Sequence, residues 1–289
     1  MSYYRVLGFE KEPFSTSPDP NFFYLSKEHE TALTNTLIEL RLKRGLSVIL
    51  GDIGMGKTTL SRKLIQELKV REDFVFHMIL DPSFENENIF VRNLLKNFGC
   101  AVPEGGSVST LDLRDTLEKF LFQKGVSENK TVALVIDEAQ KLSDVSLELL
   151  RVLLNYETNE FKLLQLVLLG QMELQPKISG IPNFFDRISF KYTLHPLSFE
   201  ETREMIEYRI RRAGYRSKIH LFLDEAVREI YQYSRGYPRR IMMLCHTALK
   251  ALVMRNRSVI DAQVVESLVQ EEMRTGWQTK TPILLNNSY

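Results

Sequence analysis

The segment Gly51-Asp52-Ile53-Gly54-Met55-Gly56-Lys57-Thr58 has the G-x-x-x-x-G-K-[ST] spacing of a phosphate-binding loop. Glycines at 51, 54 and 56 allow backbone conformations that a side chain forbids, so successive N–H groups can face the β- and γ-phosphates of a nucleotide. Lys57 adds a point charge and Thr58 offers a hydroxyl to Mg²⁺. A helix beginning near Thr58 and Thr59 turns its positive dipole end toward the anion. A second chemical pair follows about 80 residues later, where the apolar run Thr131-Val-Ala-Leu-Val-Ile136 ends in Asp137-Glu138. An acid at a strand's end can hold the shell of Mg²⁺, the place given to Asp137. The acid beside it, Glu138, can polarise an attacking water. Gln171 stands at the tip of another apolar run, Leu163–Leu169, where its amide could bond a γ-phosphate or that water, while turn chemistry explains Gly170 equally well.

These groups work only if the chain brings them together. The loop follows Leu46-Ser-Val-Ile-Leu50, a buried-type strand, and precedes a helical pattern with Leu60, Leu64 and Leu68 on one face. Between the loop and the acid pair lie a further strand, Phe74–Leu80, and helical patterns around Ile89–Phe98 and Leu111–Phe122. A helix over Val145–Tyr156 follows the acid pair, then the strand Leu163–Leu169, and a last strand spans Ile188–Leu194. Strands alternating with helices predict an α/β fold with a parallel sheet covered on both faces.

After Leu197 only helical patterns remain, at Glu200–Arg212, Asp224–Ser234, Arg239–Met254 and Ala262–Glu272. They predict a separate helical domain with a boundary near Pro196. Gly236-Tyr-Pro238-Arg239-Arg240 opens one of these helices, with Pro238 suited to a first turn. Arg239 either projects toward a cleft or is one of a solvated pair, and the same choice holds for Arg187. The clusters Arg209, Arg211, Arg212, Arg216 and Lys218, and Arg255 with Arg257, could supply phosphate contacts to DNA. Interleaved Glu201, Glu204 and Glu207 fit a charge-laced solvent face equally well.

Bulk properties narrow the class. The formal net charge is +1, so whole-chain electrostatics neither demands nor excludes nucleic acid. Cys100 and Cys245 are the only cysteines, far apart and outside any C-x-x-C, which suits buried thiols in a reducing compartment. The N-terminus lacks the pattern of a secretory signal, and the longest apolar run, interrupted by Gln165, is far short of the ~20 residues of a membrane span. A cytoplasmic location is therefore expected.

In this order the pieces resemble an AAA+ ATPase, and within that superfamily the group typified by the general secretion ATPase ExeA, which is related to the transposition ATPases of the TniB and MuB type. The group-specific strings are Pro13-Phe14-Ser15, Ser17-Pro18-Asp19-Pro20, Phe23-Tyr24-Leu25-Ser26, Val135-Ile-Asp137-Glu138-Ala139-Gln140, Leu168-Leu-Gly170-Gln171-Met-Glu-Leu174 and Gly236-Tyr-Pro238-Arg239. The resemblance implies a three-layer sandwich with a five-stranded parallel sheet plus a C-terminal all-helical lid. It implies a linker over 1–30 running beside the adenine, a nucleotide-binding domain over 31–196, a lid over 197–275 and a tail over 276–289. By position, Lys57 and Thr58 match the Walker A residues, Asp137 and Glu138 the Walker B pair, Gln171 sensor 1, Arg239 sensor 2 and Arg187 the arginine finger that completes a neighbour's site.

That resemblance implies ATP and Mg²⁺ as ligands, bound between the sheet domain and the lid, and a nucleotide-dependent homo-oligomer acting on a protein client. The protein that typifies the group continues into a transmembrane segment and a peptidoglycan-binding domain, so here a partner is expected to do that work. Two roles follow from it, an oligomeric motor or switch that assembles an envelope or secretion complex, and an ATP-gated DNA scaffold that recruits a transposase. A nucleotide-binding module without turnover is the third, and Glu138 argues against it.

Overall fold

The computed structural model describes residues 2–102, 108–181, 183–217 and 219–275. The chain divides into two compact units, Pro18–His195, and the residues up to Ser17 together with those from Pro196 on. The division thus falls inside the stretch 1–30 read as one linker. Lys218 and the tail 276–289 lie outside the described residues.

In chain order the helices are α1 (Tyr3–Val6), α2 (Lys27–Arg41), α3 (Lys57–Lys69), α4 (Glu87–Asn97), α5 (Thr110–Phe122), α6 (Asp144–Leu153), α7 (Leu174–Ser179), α8 (Phe199–Arg212), α9 (Asp224–Ser234), α10 (Pro238–Met254) and α11 (Ala262–Thr275). The strands are β1 (Leu46–Leu50), β2 (Phe74–Ile79), β3 (Thr131–Ile136), β4 (Leu164–Gly170) and β5 (Ile188–Thr193). All five pair in parallel in the order β2-β3-β4-β1-β5.

Alternation along the central strands sends their residues to two covered faces. Leu46, Val48, Leu134, Ile136, Leu166 and Leu168 face one layer, where Phe90 and Leu94 of α4, Leu117 of α5 and Leu150 of α6 complete the main core. Residues of opposite parity, Ile49, Ala133, Val135, Val167 and Leu169, are also buried, and α2 and α3 pack on the sheet with Leu33, Leu40, Leu60, Leu64 and Leu68 buried. Gln165, the polar break in the β4 run, is buried but satisfied, accepting from Gly45 N–H at 2.8 Å and donating to the Lys162 carbonyl at 2.7 Å. Serine caps start α2, α5, α6 and α8, and Ser109 with Asp112 and Ser198 with Glu201 form full capping boxes.

The second unit holds α8 to α11 and the N-terminal stretch. Phe14, 1% exposed, packs edge-on against Phe222 at 5.9 Å between ring centroids. It is core to the helical unit. Arg209 is buried and donates from Nε to the Pro13 carbonyl at 2.7 Å and from Nη2 to the Ser15 carbonyl at 3.0 Å. The Tyr3 hydroxyl lies 3.1 Å from Glu12 and 2.8 Å from His246 Nδ1 on α10. Burial, with Glu12 second, drives the Tyr3 phenol well above its ordinary range.

Candidate functional site

The phosphate loop joins β1 to α3 at the carboxyl edge of the sheet, where open α/β sheets place their ligands. Gly54 and Gly56 have φ of +84° and +89°, the left-handed values expected of them. Gly51 does not. Its smallness serves packing, because a Cβ there would stand 3.3 Å from Leu194 Cβ and 3.5 Å from Met55 Cβ. Asp52 and Ile53 are exposed on the rim of the loop, and Met55 is buried beneath it.

Lys57 is 6% exposed and folds back, donating from Nζ to the carbonyls of Gly51 at 2.7 Å and Asp52 at 2.9 Å. Burial lowers its pKa, opposed by the field of Glu138, Asp137, Asp52 and Glu173. The ammonium is therefore held over the loop by contacts that a phosphate can replace.

β3 delivers the acid pair next to this loop, with β4 between β3 and β1. Asp137 is 1% exposed; burial raises its pKa, against a hydrogen bond from the Thr58 hydroxyl and one from the Glu138 N–H at 2.9 Å. Thr58 and Asp137, from elements far apart in sequence, thus bring two hard oxygens together. Among the described residues no cluster of three or more His, Cys, Asp or Glu could hold a metal ion. A two-oxygen site fits Mg²⁺, which takes one or two protein ligands and completes its octahedron with phosphate and water.

The raised pKa of Asp137 gives a prediction. A carboxyl whose folded pKa lies above its unfolded value contributes stability below the unfolded pKa and loses it as pH rises through the folded one. Asp137→Asn should therefore raise the neutral-pH melting temperature of the nucleotide-free protein. It should also abolish any further stabilisation by Mg²⁺ with nucleotide, read by calorimetry.

Glu138 has φ +52° and ψ +35°, a left-handed conformation uncommon for a side-chain-bearing residue and a mark of local strain. Its Oε2 accepts from Gln140 Nε2 at 2.8 Å, while Gln140 Oε1 accepts from the Gln171 N–H at 3.1 Å. Gln140 therefore ties the Glu138 carboxylate to the tip of β4. The Lys177 ammonium holds Gln140 from the other side, donating to its backbone carbonyl at 2.6 Å. A side chain at Gly170 would strike Leu174 at 2.7 Å and approach the Gln140 N–H at 3.4 Å. Sequence reading assigned Gln171 but gave Gln140 no role; its position two residues past the acid pair was the available signal.

Arg187 lies outside this cluster. It precedes β5 at the amino edge of the sheet, where Ile188 pairs with Leu46, and it donates from Nη1 to the Arg151 carbonyl at 2.9 Å. Five residues of strand separate that edge from the loop, on the order of 15 Å. Arg187 is accordingly no part of its own chain's phosphate site. Arg239 is exposed on the first turn of α10 in the helical unit.

A family model described as an AAA domain matches residues 40–178. General secretion pathway protein A of Aeromonas hydrophila is 34% identical over 251 residues, which cover 86% of this chain and 44% of that protein. Residues 40–178 of the chain are thus similar to an AAA domain. The chain spans less than half the length of this curated relative. Among solved structures, the AAA+ fold is shared with the ORC2 protein of Aeropyrum pernix in its ADPNP–ADP complexes, at TM-score 0.64 and 18% identity over 91% of this chain and 72% of that one. Cdc6p of Pyrobaculum aerophilum matches at TM-score 0.66 and 18% identity, covering 90% and 70%. No described helix of the chain is long and apolar enough to cross a membrane.

Proposed function

We propose that the chain is a Mg²⁺-dependent ATP hydrolase that works as an oligomeric motor or switch in the cytoplasm, assembling an envelope or secretion-type complex through a protein client. The observation that carries the enzymatic part is the gathering of Lys57, Thr58, Asp137 and Glu138 at one edge of the sheet. Lys57 and the loop amides, from Gly51 through Thr59, neutralise and orient the phosphates. Thr58 and Asp137 hold Mg²⁺, which supplies charge neutralisation to the phosphates when bound. Glu138 orients the attacking water, Gln171 lies beside it at the strand tip, and Arg239 serves as the sensor on the helical unit.

The remoteness of Arg187 from its own loop supports a role in a neighbouring copy. Lys57→Ala should lose ATP binding, and Arg187→Ala should keep it but lose turnover. Mixing the two variants should then restore part of the activity, since one subunit contributes an intact loop and another an intact arginine. Wild-type protein that neither retains nor cleaves ATP ends the enzymatic reading, and absence of rescue ends the trans role of Arg187.

The envelope role rests on the 34% identity to general secretion pathway protein A. A DNA-scaffold role has less support, because the arginines that would touch phosphate are engaged within the chain. Arg209 is buried, Arg211 pairs with Glu207, Arg216 with Glu10, Arg255 with Glu271 and Arg257 with Asp261. ATP-dependent DNA retention with a steep salt slope would reverse that preference.

A further inference from the structure

Beneath the phosphate loop lies a side chain to which neither the loop's spacing nor the acid pair assigns a task. His29, in the first turn of α2, is 2% exposed. Its Nε2 stands 2.8 Å from the Met55 carbonyl oxygen and its Nδ1 stands 2.7 Å from Ser26 Oγ. A carbonyl only accepts, so Nε2 carries the hydrogen. In the neutral ring Nδ1 is then an acceptor, and the Ser26 hydroxyl donates to it. Ser26 Oγ also accepts from the His29 N–H at 3.4 Å as the cap of α2, so one hydroxyl fixes both the helix start and the ring. Phe23 closes the ring's flank edge-on, at 4.9 Å between centroids.

The Met55–Gly56 peptide is trans, so its C=O and N–H point in opposite directions. Holding the Met55 carbonyl toward α2 therefore turns the Gly56 N–H away from α2. Gly56 is fitted to this arrangement twice, by its φ of +89° and by space, since a Cβ would come 3.2 Å from His29 Nε2 and 3.4 Å from Phe23 Cε2. We propose that His29 is a positioning residue for nucleotide binding, pinning the Met55 carbonyl so that the Gly56 N–H faces the bound phosphate. The proposal rests on the reading of this loop as a nucleotide site. It makes the N-terminal segment around Ser26, outside the loop motif, a determinant of affinity for any nucleotide whose phosphates the loop grips.

Two substitutions separate this role from packing. His29→Leu fills the space but offers no donor, whereas His29→Gln can place an amide N–H near the present Nε2. Binding of a fluorescent ATP analogue and of ADP would be measured by titration, alongside nucleotide-free melting and turnover at saturating ATP. His29→Leu should weaken both nucleotides by about ten-fold, the scale of a lost bond to a buried carbonyl, with turnover at saturation changed by less than about two-fold. His29→Gln should stay within about three-fold of wild type for both. Packing alone predicts the reverse order, because Leu preserves an apolar fit that Gln disturbs.

Wild-type affinity in His29→Leu, or equal losses in the two variants, overturns the role. If His29→Leu does not fold, Ser26→Ala takes its place. It frees the ring to turn and should weaken binding by about three-fold, and unchanged affinity overturns the role equally. A wild-type protein that binds neither nucleotide removes the underlying site reading instead, a result distinct from any difference between variants.

Discussion

Glu138→Gln should lower ATP turnover by at least about a hundred-fold while nucleotide affinity stays near wild type, if Glu138 is the positioned base proposed above. The substitution is nearly isosteric, so the left-handed backbone at 138 and the bond with Gln140 can both persist. What the change removes is the negative charge proposed to orient water and accept its proton. Binding should be spared because Lys57, Thr58 and the loop amides, the groups proposed to grip the phosphates, are untouched. Phosphate release and titration of a fluorescent nucleotide would be measured on the same preparation. Turnover within a few-fold of wild type would move water activation to another group, and lost binding would mean that Glu138 shapes the loop.

Gly236→Ala should destabilise the helical unit by more than about 3 kcal/mol, through a mechanism unrelated to catalysis. Gly236 has φ +77°, and a Cβ there would lie 2.0 Å from the Leu197 carbonyl oxygen and 3.0 Å from Leu197 C and N. The obstacle is backbone and cannot rotate aside. It is also held in place, since the Leu197 N–H donates to the Gly236 carbonyl at 2.9 Å. Calorimetry should show the transition of the helical unit lowered by more than about 10 °C, given roughly 4–8 °C per kcal/mol in a unit of this size. Because Gly236 precedes α10, the same change displaces Pro238 and Arg239. A variant that melts like wild type would show that the 197–236 contact opens easily.

Strand positions were legible because the central strands β1, β3 and β4 are mostly apolar runs and the edge strand β5 alternates apolar with polar residues, and every predicted strand matches an observed one to within about a residue at either end. The phosphate loop was legible because its chemistry fixes its spacing. The order of the strands was not, since β4 comes late in sequence yet enters between β1 and β3, a matter of crossover geometry that no local pattern states. The helix α2 went unread, although Ser26 and the charged first turn after it mark its start. His29 was therefore missed with it, because a single histidine on a helix gives no spacing signal and its partner, the Met55 carbonyl, is backbone. Gln140 was missed for a related reason, as its acceptor and donor lie on opposite sides in different elements. Arg209 was misread in the other direction, since an arginine in a basic run looks solvated until its carbonyl partners at Pro13 and Ser15 are seen.

The anchoring of Pro13 by Arg209 spans 196 residues of sequence. At roughly 5–20 residues per second of synthesis, about 10–40 s elapse on the ribosome between making the two partners. Through that interval Phe14 has no groove to occupy while the whole sheet unit emerges and can fold behind it. Closing the helical unit is therefore a late, long-range step of biogenesis, and during it the stretch around Phe14 is open to capture by a chaperone.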